Sequence, residues 1–248
     1  FVGSKIIVHQ WSSPCRRWRC FNKPAQSTAA SKIIMGSNLI ISGGIYHDFD
    51  QTSQILSDIL ETCGFDTCVK TVADGLDELT SNAFDLLTIN ALAFTMTQHP
   101  KYEPLRHDFA FKTNMKVKKA ILGHLNAGGC ILGIHTAAIC FDDWPEWGEI
   151  LGAKWVWGKS WHPAPCQINV SGIENFSTVD ELYFDLEVSS EAVVLAEGNT
   201  NANRNAQPVL IKKDRSAYLT LGHDILAFKS NGINALIVKA INELGNDR

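Results

Sequence analysis

Apolar residues fall in two alternating patterns along the first half of the chain. Asn38 to Ser42 (NLIIS), Phe84 to Ala91 (FDLLTINA) and Cys130 to Ile134 (CILGI) are short, nearly unbroken apolar runs. Runs of that length read as strands buried on both faces. Between them, Asp50 to Thr62 carries Ile55, Ile59 and Leu60 at helical spacing. Asp50 is placed to cap that helix and Gly64 to stop it. Phe65 to Val72 reads as a second strand. Leu76 and Leu79 mark a short connecting helix or turn, and Val117 to Ala127 a further helix ended by Gly128-Gly129. This strand–helix–strand rhythm predicts a parallel sheet covered on both faces. His99-Pro100 and Pro104 break residues 94–115 into a long loop or short insertion.

The pattern then changes. Five of the seven tryptophans, Trp144, Trp147, Trp155, Trp157 and Trp161, fall in one stretch without a regular period. It reads as a tryptophan-rich loop lobe packed over the sheet edge. Cys166 to Val170 and Glu187 to Ala196 suggest strands, and Asn199 to Asn205 is a polar connection. Pro208 to Lys212 and Ser216 to Leu221 read as a β-hairpin around Lys213-Asp214-Arg215. Ile225 to Leu244 is a closing helix, interrupted near Asn231-Gly232.

At 248 residues and 45% apolar content, the chain can bury one large core, with or without an inserted lobe. Five of its 22 Lys and Arg, and none of its 26 Asp and Glu, lie in residues 1–30. The remainder is therefore distinctly acidic, which argues against a nucleic-acid partner. No apolar run is long enough to span a bilayer, and the opening apolar stretch is too short for a signal sequence. Seven cysteines, odd in number and irregularly spaced, suit a reducing, cytoplasmic setting. Cys15 and Cys20 lack a nearby second pair to complete a metal finger. The chain opens on Phe1 rather than Met. Residues 1–35 are expected to be a poorly ordered extension of a domain covering 36–248.

Candidate chemistry centres on four histidines. His47 (GGIYHDF), His135 (GIHTAA) and His223 (LGHD) each follow an apolar run and a glycine-containing turn. Those are the carboxyl ends of strands, where open α/β sheets place their ligands. His135 holds the exposed position of a strand-to-helix elbow, where a Ser or Cys nucleophile would otherwise stand. His162 lies between Trp161, an apolar platform for a sugar face, and Pro163. Asp48, Asp180 and Glu181 could orient an imidazole or bind a substrate hydroxyl, although a helix N-terminus would also explain the acidic pair. Asp142 and Asp143 could back His135 as supporting carboxylates. Cys130 and Cys140 bracket His135, but Cys130 reads as a packed core residue. Neither a dinucleotide nor a triphosphate glycine motif is present. Converging imidazoles would move protons or hold Zn²⁺ or another divalent metal, and both readings stay open. Single turns, buried core histidines and tryptophans that only fill the lobe are the structural alternatives.

Taken in order, GGIYHDF, GIHTAA, WPEWGEILGAKW, the His162 segment, DELY and YLTLGHD resemble the ThuA-like (trehalose utilisation) family over about residues 38–228. The resemblance implies a flavodoxin-like three-layer α/β sandwich with a mostly parallel sheet, similar to class I glutamine amidotransferases. It implies that His135 replaces the amidotransferase cysteine, so glutamine hydrolysis is not expected. His223 falls in the region of the amidotransferase histidine, without the accompanying Pro–x–Glu. Ala138 departs from the histidine or polar residue of many relatives, which bears on substrate or metal binding. The implied activity is processing of a sugar or 3-keto-disaccharide by hydrolysis or isomerisation. His47, His135 and His223 would be catalytic or metal-binding; His162, Trp161, Asp48, Asp180 and Glu181 would bind substrate. A non-catalytic carbohydrate-binding or regulatory domain is the alternative. The partner is a small carbohydrate, and a homo-oligomer is left open.

Overall fold

The computed structural model describes residues 36–245; the expectations for residues 1–35, including Cys15 and Cys20, lie outside them. The described chain opens with β1 (Gly36–Gly43), α1 (Phe49–Thr62), β2 (Phe65–Thr71), α2 (Val72–Ser81) and β3 (Leu86–Ala91). A 3₁₀ turn at Pro100–Tyr102 leads into α3 (Glu103–Phe109), so the expected long loop carries short helical turns. Then come α4 (Met115–Asn126), β4 (Cys130–Ile134), a 3₁₀ turn at His135–Ala138, α5 (Glu146–Leu151) and β5 (Ala153–Lys154). The remainder is β6 (Cys166–Gly172), β7 (Phe176–Asp180), β8 (Glu187–Val188), β9 (Val193–Thr200), β10 (Gln207–Lys213), β11 (Ser216–Leu219), α6 (Ile225–Phe228) and α7 (Asn231–Gly245).

Nine strands form one sheet in the order β2-β1-β3-β4-β11-β10-β9-β6-β7. The pairings from β2 to β11 are parallel, and those from β11 to β7 are antiparallel. The expectation of a mostly parallel sheet is therefore corrected to a mixed sheet, half of each kind. The reason lies in the connections. Helical crossovers join the first strands and return each one parallel. Only Asp214 and Arg215 separate β10 from β11, and Asp214 has φ +46°. A two-residue link with positive φ closes an antiparallel hairpin. β11 is the hinge strand, parallel to β4 and antiparallel to β10.

Alternation along the strands divides the core. Leu39, Ile41, Leu87, Ile89 and Ile131 pack with Leu76 and Leu79 of α2, Val117 and Ile121 of α4, and Trp147 and Leu151 of α5. Ile40, Leu86, Leu132 and Ile134 face the other way, onto Leu56 and Leu60 of α1 and Ile233, Leu236 and Ile237 of α7. Period-2 side chains on continuous apolar strands require helices on both faces. The tryptophan stretch is not one lobe. Trp144 and Trp147 are buried in the helical layer, and Trp147 Nε1 donates to the Ala137 carbonyl at 2.8 Å. Trp157 belongs to a smaller aromatic cluster with Phe94 and Tyr102. The strand Phe176–Asp180 was not expected, and it makes Asp180 a strand end rather than a helix start.

After β1 the backbone must turn sharply to bring His47 over the sheet. Gly44 sits at φ +138°, and a Cβ there would lie 2.8 Å from the Leu92 carbonyl oxygen. Both the dihedral and the contact exclude a side chain. Gly44→Ala is therefore expected to lower stability by about 1–3 kcal/mol, read as a reduced denaturant midpoint with unchanged slope. An unchanged midpoint would show that this turn carries no such constraint.

Candidate functional site

Four strand ends meet at one place. His47 follows β1, His135 follows β4, His223 follows β11 and Glu181 follows β7. The imidazole centroids of His47, His135 and His223 are 4.7–5.4 Å apart. One ligand atom from each of the three, with one from Glu181, lies within 4.8 Å of the others. His162 joins at the rim, with Nδ1 3.1 Å from Glu181 Oε2. The structure thus brings together His47, His135, His162, Glu181 and His223 from the expected set.

His135 is held hardest. Its backbone is left-handed, at φ +44°, a conformation that costs a non-glycine residue about 1 kcal/mol or more. Surrounding bonds hold it there. Its Nδ1–H donates to the Thr220 carbonyl at 2.8 Å, and the Tyr218 hydroxyl donates to the His135 carbonyl at 2.7 Å. A carbonyl only accepts, so the proton of neutral His135 is on Nδ1 and the Nε2 lone pair faces the cluster. The Tyr183 hydroxyl lies 3.1 Å from that Nε2 and Glu181 Oε2 lies 3.6 Å from it. Tyr183 was not among the expected site residues.

His47 uses the same device. Its Nδ1–H donates to the Ile45 carbonyl at 3.1 Å, which leaves Nε2 buried and without a hydrogen-bond partner. Burial, followed by the neighbouring His135 and His223, pushes its pKa down to about 3. Burial and His135 also lower that of His223. His223 Nδ1 is 3.2 Å from Glu181 Oε2 but is not aligned with it for a hydrogen bond. Burial alone would raise Glu181, yet His135, His223 and His162 together bring its carboxyl below the usual range.

The other acids hold the frame. Asp180 accepts from the backbone N–H of Gly222 at 2.7 Å, Glu181 at 2.8 Å and His223 at 3.2 Å. It pins the end of β11 against the end of β7. Burial raises its pKa, against those three donors and His135. Asp48, rather than Asp50, caps α1 by accepting from the Gln51 N–H. Asp142 accepts from the Thr95 N–H and hydroxyl and from Gln98, and Asp143 from the Thr113 N–H, so both tie loops. Trp161 stacks on Phe184 at 4.6 Å and donates through Nε1 to Asp185. Cys140 is buried, donates to the Ala91 carbonyl and has its thiol pushed up to about 12, so it cannot supply a thiolate at neutral pH.

A metal suits this donor set. Three imidazoles and a carboxylate are ligands that Zn²⁺ accepts, and the unpartnered His47 Nε2 gains a partner on binding. Tetrahedral ligands about 2.1 Å from one ion lie about 3.4 Å apart. Groups spread over as much as 4.8 Å would therefore draw together on binding, and Tyr183 would turn its hydroxyl proton from His135.

A family model for ThuA, described as trehalose utilisation, matches residues 38–242. The chain belongs to the ThuA family. The solved structure of a ThuA-like protein from Parabacteroides merdae has a TM-score of 0.65 at 16% identity, covering 86% of this chain and 91% of its own. A ThuA-like protein from Bacteroides uniformis gives 0.61 at 17% identity, covering 90% and 95%. A cytoplasmic protein from Salmonella typhimurium gives 0.54 at 12%, covering 86% and 98%. No curated protein matches this chain significantly. ThuA membership gives the protein a carbohydrate-related enzymatic function in a family distinct from glutamine amidotransferases, and the His47–His135–Glu181–His223 cluster is consistent with metal assistance. No helix among the described residues is long and apolar enough to cross a membrane.

The lowered pKa of His47 sets a pH dependence. An unfolded His47 takes up its proton near 6.5, whereas the folded one resists to about 3. Across that window the unfolded state binds more protons, so this contribution to stability is complete above 6.5 and falls as pH drops. His223 acts in the same direction. The metal-free protein should lose more stability between about pH 7 and about pH 5 than His47→Phe does, measured as the change in denaturant midpoint. Equal losses in the two proteins would rule out a buried, neutral His47.

Proposed function

We propose that this ThuA protein processes a sugar or 3-keto-disaccharide by histidine acid–base chemistry, in a flavodoxin-like three-layer frame related to that of glutamine amidotransferases. The parallel half-sheet supports the frame. Its order, β2-β1-β3-β4-β11, is that of a flavodoxin-like sheet with β11 as the fifth strand. His135 then stands at the elbow, and the nearby Cys140 is buried with its thiol committed to the Ala91 carbonyl.

The observation that carries the reading is the convergence of His47, His135, His223 and Glu181 with buried lone pairs turned toward one another. His47 resists protonation too strongly for an efficient general base near neutrality, where a catalytic pKa close to the working pH is best. Its Nε2 suits metal ligation or acceptance of a substrate hydrogen bond. His135 Nε2, already in contact with the Tyr183 hydroxyl, can take a proton and share it with that oxygen. His162 is half-exposed beside Glu181 and can exchange protons with solvent. A 3-keto group acidifies the neighbouring C–H. Removing that proton opens either elimination and rehydration, which cleaves the glycosidic bond, or return of the proton to the adjacent carbon, which isomerises the sugar. In a metal-bound form His47, His135, His223 and Glu181 would instead hold Zn²⁺ or another divalent ion, His135 Nε2 would be a ligand rather than a base, and the ion would polarise a carbonyl or lower the pKa of water. The protein is proposed to act in a reducing, cytoplasmic setting, which an odd number of irregularly spaced cysteines supports.

Purified protein should carry a stoichiometric divalent metal and convert 3-keto-trehalose. His135→Ala and Glu181→Gln should reduce turnover by at least about a hundredfold while circular dichroism shows the fold intact. Equal sugar binding by wild type and variants, with no turnover of a keto-disaccharide panel, would instead identify a carbohydrate-binding domain.

A further inference from the structure

Six buried side-chain polar atoms among the described residues lack a hydrogen-bond partner. Two are His47 Nε2 and His223 Nδ1, within the imidazole cluster. A third is Trp155 Nε1, which lies outside it. An indole N–H is a donor only, and burying it unpaired opposes folding. Trp155 is itself only partly buried, while the fully buried indole of Trp147 does find a partner in the Ala137 carbonyl.

Trp155 is fixed beside the imidazoles. It follows β5, and its backbone N–H donates to the Ala138 carbonyl at 3.3 Å, in the turn that begins at His135. Its ring meets Tyr183 edge-on at 5.0 Å, with Trp157 at 6.2 Å and His162 at 6.1 Å. Tyr183 touches His135, and His162 touches Glu181. An indole held by its backbone and packed against aromatic neighbours cannot readily swing its N–H to water. We propose that Trp155 is a substrate-binding residue, whose Nε1–H donates to an oxygen of a neutral sugar bound against the imidazole cluster. This inference rests on the sugar reading of the crevice. It adds a donor to a group that otherwise offers lone pairs, so a sugar oxygen can be held while its C–H faces the bases.

The test removes the N–H and keeps the ring. Trp155→Phe, and replacement of the indole by the isosteric benzothiophene side chain, are compared with Trp147→Phe. Neither change at Trp155 should lower the melting temperature of the ligand-free protein beyond the effect of lost ring volume, and the benzothiophene form should match wild type. Trp147→Phe should lower it clearly, because it removes the Nε1–H bond to the Ala137 carbonyl and part of a fully buried ring. For 3-keto-trehalose, Kd by calorimetry and KM should rise about fivefold in both Trp155 forms with kcat little changed, as expected for loss of one neutral hydrogen bond. Unchanged Kd and KM in the benzothiophene form, with wild-type turnover intact, would overturn the role of Trp155 and leave the proposed function standing. A large loss of ligand-free stability in that form would also overturn it, by revealing a structural partner for Nε1. A wild-type protein that neither binds nor converts the keto-sugar removes both readings.

Discussion

The hydrogen bond from His135 Nδ1 to the Thr220 carbonyl is the constraint on which the site depends. It joins the end of β4 to the end of β11, the two parallel strands at the middle of the sheet. It fixes the tautomer and holds the ring of a residue whose backbone is already in a left-handed conformation. Tyr218 closes the arrangement from β11 by donating to the His135 carbonyl. Because the imidazole is fixed at one nitrogen, the other is presented to the crevice without freedom to turn away. Preorganisation of this kind lowers the cost of ordering a reacting group when substrate arrives.

The two halves of the sheet contribute differently. The parallel half aims its strand ends at one rim, and this supplies three imidazoles from β1, β4 and β11. The antiparallel half brings a carboxylate to the same rim. Asp180, the last residue of β7, commits its carboxylate to the backbone of Gly222 and His223, and Glu181 then falls beside the imidazoles. Adjacent acids thus serve different purposes, one structural and one chemical, because one is aimed at backbone N–H groups and the other at ring nitrogens.

Much of this is legible in the chain. The runs at 38–42, 84–91 and 130–134 are apolar on both faces, and a glycine turn at a strand end leaves few places for a following histidine except the rim. Phe176–Asp180 escapes because FSTVD is short and its strand alternates between buried and exposed positions, without a continuous apolar signature. Trp144 and Trp147 read as part of a lobe because α5 has only six residues, too few to establish a helical period. The cap at Asp48 differs by two residues from the expected one at Asp50, an ordinary ambiguity of helix starts. Tyr183 follows an apolar residue, and only its contact with His135, distant in sequence, reveals it. The expectation of a mostly parallel sheet extends the rhythm of the first half of the chain to hairpins that cannot obey it.

The four clustered groups stand at positions 47, 135, 181 and 223, at the ends of strands spread over nearly the whole described chain. No contiguous segment contains the site. A nascent or partly folded chain with only β1 to β4 in place has two of its imidazoles and neither Glu181 nor His223. The long-range pairings that complete the set are those that form slowly. The crevice therefore acts as a certificate of complete folding, and any ligand that needs all four groups stabilises the whole sheet rather than a local part of it.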